Sequence, residues 1–215
     1  FLNKWIKKFE IGESILFETD KEGPVVLIRL KKDKSGDESL LADEGYGMTQ
    51  LISILLQIEV GILEAKIVFK AKSRDNLGYE FFLSKKDLNF FITPTTIAIE
   101  EPEIHLHPKF QSMLAEMFVD AYKTYNIQFI IETHSEYLIR KLQTLVAKKD
   151  ITTDEVSLNY MYDPDPAKRP ANMPQIKKIE IGNDGRLKSA FGSGFFDEAD
   201  NLTMDLLTLK AYQND

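Results

Sequence analysis

The 215-residue chain is 43% hydrophobic and 28% charged, a balance ordinary for a globular protein that excludes the disordered and fibrous classes. With 27 Lys and Arg against 34 Asp and Glu, its net charge of −7 creates no overall field toward nucleic acid or an anionic membrane. It contains no cysteine, hence no disulfide or thiolate site, which fits a cytoplasmic protein.

No apolar run is expected to approach the roughly 20 residues that span a bilayer, so no membrane partner is expected. Phe1-Leu2-Asn3-Lys4-Trp5 lacks the layout of a signal peptide. The chain starts without Met inside an amphipathic segment, and the expectation is a piece of a longer protein. Two strand-like runs follow, Ser14 to Glu18 and Val25 to Leu30, around the turn-forming Asp20-Lys21-Glu22-Gly23-Pro24. They predict a β-hairpin. The polar link Lys31 to Glu38 predicts a solvated turn.

Gly45-Tyr46-Gly47-Met48-Thr49-Gln50 then leads into a helix beginning near Leu51. Two glycines just before a helix let its N–H groups approach an anion closely, or they simply mark a strand-to-helix turn. For residues 60–95 the expectation is an inserted hairpin, Lys66 to Lys70 against Tyr79 to Leu83, unless the first run extends the preceding helix. Phe90, Phe91 and Ile92 before Pro94 are expected in the core.

The run Thr96-Ile97-Ala98-Ile99 ends in Glu100-Glu101-Pro102, as a buried strand that delivers carboxylates to a sheet edge. Pro108 suits a first helical turn, and Phe110, Met113, Leu114, Met117, Phe118, Ala121, Tyr122 and Tyr125 keep helical spacing. A second apolar run, Ile127 to Ile131, reaches Glu132-Thr133-His134-Ser135. Strand, helix and strand form a parallel crossover. Glu100, Glu101 and His134 therefore share the edge where open α/β sheets take ligands. Beyond it, the expectation is a helix from Ser135 to Lys149, a hairpin of Val156 to Tyr162 and Gln175 to Ile181, and a final amphipathic helix using Leu202, Leu206 and Leu209.

Glu100 and Glu101 are adjacent in a strand, so their side chains are expected on opposite sides, in separate roles. One can hold Mg²⁺ and the other can orient an attacking water, or both can simply keep the strand end soluble. His134 can meet a terminal phosphate or cap the next helix. His105 and His107 invite a zinc reading with Glu103, but a lone His-x-His lacks a clear third and fourth ligand at fixed spacing. Asp163-Pro164-Asp165 allows a metal-dependent nuclease or, with its prolines, a turn.

The block Thr96 to Leu138 resembles the Walker B, D-loop and switch-histidine region of ABC-type ATPases, in the soluble branch that holds the overcoming-lysogenization-defect (OLD), RecF and SMC-like proteins. The resemblance rests on Glu-Glu-Pro-Glu-Ile-His-Leu-His-Pro and Glu-Thr-His-Ser, and covers roughly residues 40–200. It implies Glu100 as the Mg²⁺-associated acid, where most relatives have Asp, and Glu101 as the catalytic glutamate. Leu106-His107-Pro108 would be the D-loop and His134 the switch. Asp43 to Gln50 looks like a signature loop, which in that family contacts the γ-phosphate held by the opposite subunit; it departs from the usual Leu-Ser-Gly-Gly-Gln. Gly194 to Glu198 resembles the end of such ATPases more weakly.

None of the 11 glycines is followed five residues later by Gly-Lys-Ser or Gly-Lys-Thr, so a P-loop is missing. The resemblance then implies the C-terminal half of an ATPase domain, 1–39 a hairpin region, 40–150 the core and 151–215 a C-terminal hairpin and helix. The expected fold is α/β, a largely parallel sheet with antiparallel hairpins. The expected function is ATP and Mg²⁺ binding and ATP hydrolysis by a homodimer, in DNA-related or phage-defence processes, with DNA or an effector nuclease as possible partners. An N-terminal half would supply Walker A, and this chain alone would hydrolyse ATP weakly or not at all. The rivals are a non-catalytic regulatory module of the same fold and the nuclease.

Overall fold

A computed structural model describes residues 1–19, 26–33, 35–74 and 95–212. The chain forms two compact units, Phe1–Thr133 and His134–Asp215.

The first unit opens with α1 (Leu2–Lys8), which buries Trp5 and Ile6 and carries Lys7 and Lys8 in its last turn, where cations suit the helix dipole. The Trp5 indole donates to Asp120 Oδ2 at 2.8 Å. Strands β1 (Ser14–Thr19) and β2 (Val26–Lys31) pair antiparallel as expected. A third strand, β3 (Glu38–Leu40), pairs with β2 at the end of the link expected to be a solvated turn. Two facts explain the difference: β2 has an edge to offer, and its Leu30, paired with Ser39 of β3, is fully buried.

Helix α2 (Tyr46–Arg74) is the longest element. Leu51, Ile52, Leu55, Ile58 and Ile62 recur at helical spacing and are at most 2% exposed. Its length corrects two expectations. Lys66 to Lys70 is helix, so the inserted hairpin does not form there, while Tyr79 to Leu83 and Phe90 to Pro94 lie outside the described residues. Tyr46–Glu64 is also long and apolar enough to cross a membrane, with mean hydropathy 1.4. Its buried stripe supplies part of that apolarity, while Val60 and Leu63 on the same stretch are about half exposed.

Strand β4 (Thr95–Glu100), helix α3 (Pro108–Tyr125) and strand β5 (Ile127–Glu132) give the expected crossover, β4 and β5 pairing parallel from Thr95↔Ile127 to Glu100↔Glu132. Asn126, left-handed at φ 58, ends α3 as a good αL former does, its N–H on the Tyr122 carbonyl. Ile99 and Ile127 are buried, whereas Ala98, Gln128 and Ile130 lie on an exposed face.

In the second unit, Ser135 caps α4 (Glu136–Ala147), its Oγ accepting the Leu138 N–H at 3.1 Å. Strands β6 (Leu158–Met161) and β7 (Ile176–Ile179) form the expected antiparallel hairpin. Tyr160, Phe191, Phe195 and Phe196 cluster beside it, and the Arg140 guanidinium lies 4.8 Å from the Phe196 ring centre. Helix α5 (Glu198–Tyr212) forms as expected, yet Leu202, Met204, Leu206 and Leu207 are all more than half exposed.

Candidate functional site

The register of the parallel pair places Glu100 beside Glu132 at its last rung. The ladder continues one bond further, the Glu101 N–H donating to the Glu132 carbonyl at 2.8 Å. A strand would send Glu101 to the side opposite Glu100. Instead Glu101 leaves the strand in the left-handed region, at φ 44. Both residues line one cavity of about 470 Å³, with Gln50, Ile104 and Glu132. This corrects the expectation of opposite sides, because that expectation assumed the strand continued through Glu101.

A left-handed backbone costs a residue with a Cβ about 1–2 kcal/mol. Glu101 and His105, at φ 60, both adopt it within one tight turn. The surrounding bonds hold them there. Ile104 N–H donates to the Glu101 carbonyl at 3.2 Å, and Leu106 N–H to the Glu103 carbonyl at 3.0 Å. Glu103 is buried at 8% exposure, and its Oε2 accepts the Thr133 hydroxyl at 2.7 Å.

The start of α2 closes on the same turn. The Gly45 carbonyl accepts the N–H groups of Met48 and Thr49, so Gly45 precedes the helix while Tyr46 to Gln50 form its first residues. The glycines do not both lie ahead of the helix. A Cβ on Gly47 would stand 2.4 Å from the His105 carbonyl oxygen, so only glycine permits this approach. Tyr46 stacks obliquely on the His105 ring at 5.8 Å. One turn further along, Gln50 reaches the cavity.

The structure thus brings Gln50, Glu100 and Glu101 together; Gly45, Tyr46, Gly47, Met48, Thr49 and His107 do not line that cavity. The His107 Nδ1 instead accepts the Lys109 N–H at 3.2 Å and caps α3, with Pro108 in the first turn. Glu103, His105 and His107 do not come together as a metal-holding group among the described residues. His134 is exposed and opens the second unit, directly before the α4 cap Ser135. There, Asp163 Oδ1 accepts the Asp165 N–H and Asp165 Oδ1 accepts the Ala167 N–H. Those carboxylates build a turn, as the flanking prolines suggest.

Sequence reasoning gave Glu132 no role, although in-register parallel pairing of two runs that both end in Glu would have brought it to Glu100. Three carboxylates and one carboxamide make a hard, oxygen-rich lining, suited to Mg²⁺ that keeps most of its waters. Among the described residues no three His, Asp or Glu side chains form a metal cage. Among the described residues no Lys or Arg lines the cavity. Phosphate oxygens need a cation from elsewhere.

Residues 2–139 match the family described as AAA ATPase domain. The chain belongs to this family. As an AAA ATPase domain it has the α/β fold of P-loop NTPases, ATP as its ligand and ATP hydrolysis as its general activity. Residues 151–206 match a second family, described as a protein of unknown function (DUF3696). No curated protein matches the AAA ATPase chain. A solved structure from work on the structural biochemistry of ATP-driven dimerization and DNA-stimulated activation of SMC ATPases is similar at 12% identity and a TM-score of 0.43, covering 96% of this chain and 97% of that one.

Proposed function

We propose that this chain is the C-terminal half of an ATPase domain of the OLD, RecF and SMC-like branch, working as an ATP-gated homodimer in DNA-related or phage-defence processes. The observation that carries the catalytic reading is the shared cavity of Glu100, Glu101 and Gln50 at the carboxyl end of the parallel pair. Ligands of open α/β sheets bind at that end. Glu100 would hold Mg²⁺ through its waters, and the metal would supply charge neutralisation on the phosphates. Glu101 orients the attacking water and accepts its proton, within reach of the same cavity. His134 would sense the terminal phosphate. These roles rest on the resemblance of the motif.

Two features support the need for additional chain. Among the described residues the cavity is lined by acids and no cation, and an N-terminal half with a Walker A lysine would complete it. Parallel sheets are normally covered on both faces, yet Ala98, Gln128 and Ile130 are exposed. The signature-like start of α2 would serve the second subunit. Tyr46 is 83% exposed there, and a Cβ on Gly45 would meet nothing within 4 Å. On this reading 1–39, 40–150 and 151–215 belong to one ATPase domain, acting in the cytoplasm with a DNA or nuclease partner.

The test is Mg²⁺-ATP turnover by the full-length protein, wild type against Glu101→Gln, with dimerisation followed by light scattering. The expected result is turnover by wild type and an ATP-trapped dimer of the variant. If neither protein hydrolyses ATP or dimerises with it, the fold is a non-catalytic regulatory module; equal turnover by both would remove Glu101 from the catalytic role.

A further inference from the structure

The turn between Glu101 and Leu106 holds a carboxylate that the reading above leaves without a task. Glu103 is one of two buried polar residues among the described ones, the other being the helix cap Ser135. A buried carboxylate is costly unless its oxygens are bonded. Glu103 Oε2 takes the Thr133 hydroxyl at 2.7 Å, across a sequence separation of 30 residues. Thr133 is the residue after β5 and the one before His134.

Glu103 therefore fastens the middle of the turn to the end of β5, while the Glu101 N–H fastens its beginning to the Glu132 carbonyl. Between these two ties Glu101 keeps φ 44, a conformation that residues with a Cβ leave when free to do so. Relaxed to an ordinary strand conformation, Glu101 would point away from Glu100, out of the cavity. An apolar residue at 103 would fill the space without making the tie.

We infer that Glu103, through its hydrogen bond with Thr133, is a positioning residue that holds Glu101 in its left-handed conformation and so aims the Glu101 carboxylate into the cavity. The inference rests on the proposed catalytic role of Glu101. Glu103 touches no reacting atom; it acts through the backbone of the turn. Its loss lowers the chemical step and leaves nucleotide affinity in place, since Glu101 meets the attacking water rather than the phosphates.

The experiment is steady-state Mg²⁺-ATP hydrolysis by the full-length protein carrying Glu103→Leu, Glu103→Gln, Thr133→Val or Thr133→Ser, alongside wild type and Glu101→Gln, with melting temperature recorded for each. Glu103→Leu and Thr133→Val should each lower kcat by about 10- to 100-fold with KM within about threefold of wild type. Glu103→Gln and Thr133→Ser keep an acceptor and a hydroxyl, and should restore kcat to within about fivefold of wild type. The effects of Glu103→Leu and Thr133→Val should be less than additive in the double variant, because both remove the Glu103–Thr133 bond.

If Glu101→Gln abolishes turnover while Thr133→Val, folded by its melting curve, keeps wild-type kcat, the positioning role is wrong and the catalytic reading survives. A Glu103→Gln variant as slow as Glu103→Leu overturns it also, because the acceptor would then not be what matters. A wild type that does not turn over, or one matched by Glu101→Gln, removes the catalytic reading and this inference with it.

Discussion

The backbone N–H of Glu101 donates to the carbonyl of Glu132 one residue beyond the last register pair of the parallel sheet, so Glu101 ends the ladder while its φ of 44 has already left the strand. Ladder bond and left-handed turn together bring two consecutive carboxylates into one cavity, which neither would do alone. Adjacent acids in an extended strand diverge. Here they converge because the second is both tied and turned.

That strain is measurable apart from activity. Glu101→Gln and Glu101→Asn both remove the carboxylate, but Asn tolerates the left-handed region far better than Gln. Urea unfolding should find the Asn variant more stable than the Gln variant by about 0.5–1 kcal/mol. Equal midpoints would mean that the conformation at 101 stores no strain.

The two glycines near the start of α2 should separate cleanly. Gly47→Ala would drive a methyl against the His105 carbonyl and should destabilise the protein by about 2 kcal/mol. Gly45→Ala meets open space and should stay within about 0.5 kcal/mol of wild type. Thermal unfolding of the two variants tests this, and a larger loss at Gly45 would contradict the close approach described here.

Glu132 lines the cavity beside Glu100 without having been singled out by motif. Glu132→Gln should raise the Mg²⁺ concentration needed for half-maximal ATP turnover by about three- to tenfold. Because Glu132 is exposed, the melting temperature should barely change. A Mg²⁺ titration unaffected by the change would leave Glu132 a bystander.

Asp120 ties α3 to α1 and gives the first unit a pH dependence. Burial pushes its carboxyl upward, but hydrogen bonds from Lys4 and Trp5, the Lys4 charge and Thr124 outweigh it, and the net shift is downward. A depressed folded pKa stabilises above the unfolded value, about 3.9 for Asp, and that stability is lost as pH falls through the folded value. Asp120→Asn should therefore cost stability at pH 7 and progressively less below about pH 4. A difference from wild type that stays constant down to acid pH would exclude the linkage.

The sequence by itself determined the crossover, because Thr96 to Ile99 and Ile127 to Ile131 are short apolar runs of strand type, while Pro108 and the helical spacing after it leave one way to join them. The β1–β2 and β6–β7 hairpins, helix α4 and the acidic end of β4 were legible for the same reason: their signals are local. Tertiary structure alone decided what meets at that end. Register chose Glu132 as the neighbour of Glu100, and a left-handed backbone turned Glu101 toward both. The close approach permitted by Gly47 brought α2 near enough for Gln50 to join them. His107, equally visible in the motif, went to capping α3, and Glu103 to Thr133. Residue type states which chemistry a side chain can perform, but which partners it finds depends on pairing and backbone conformation between segments far apart in the chain, and periodicity carries no record of those.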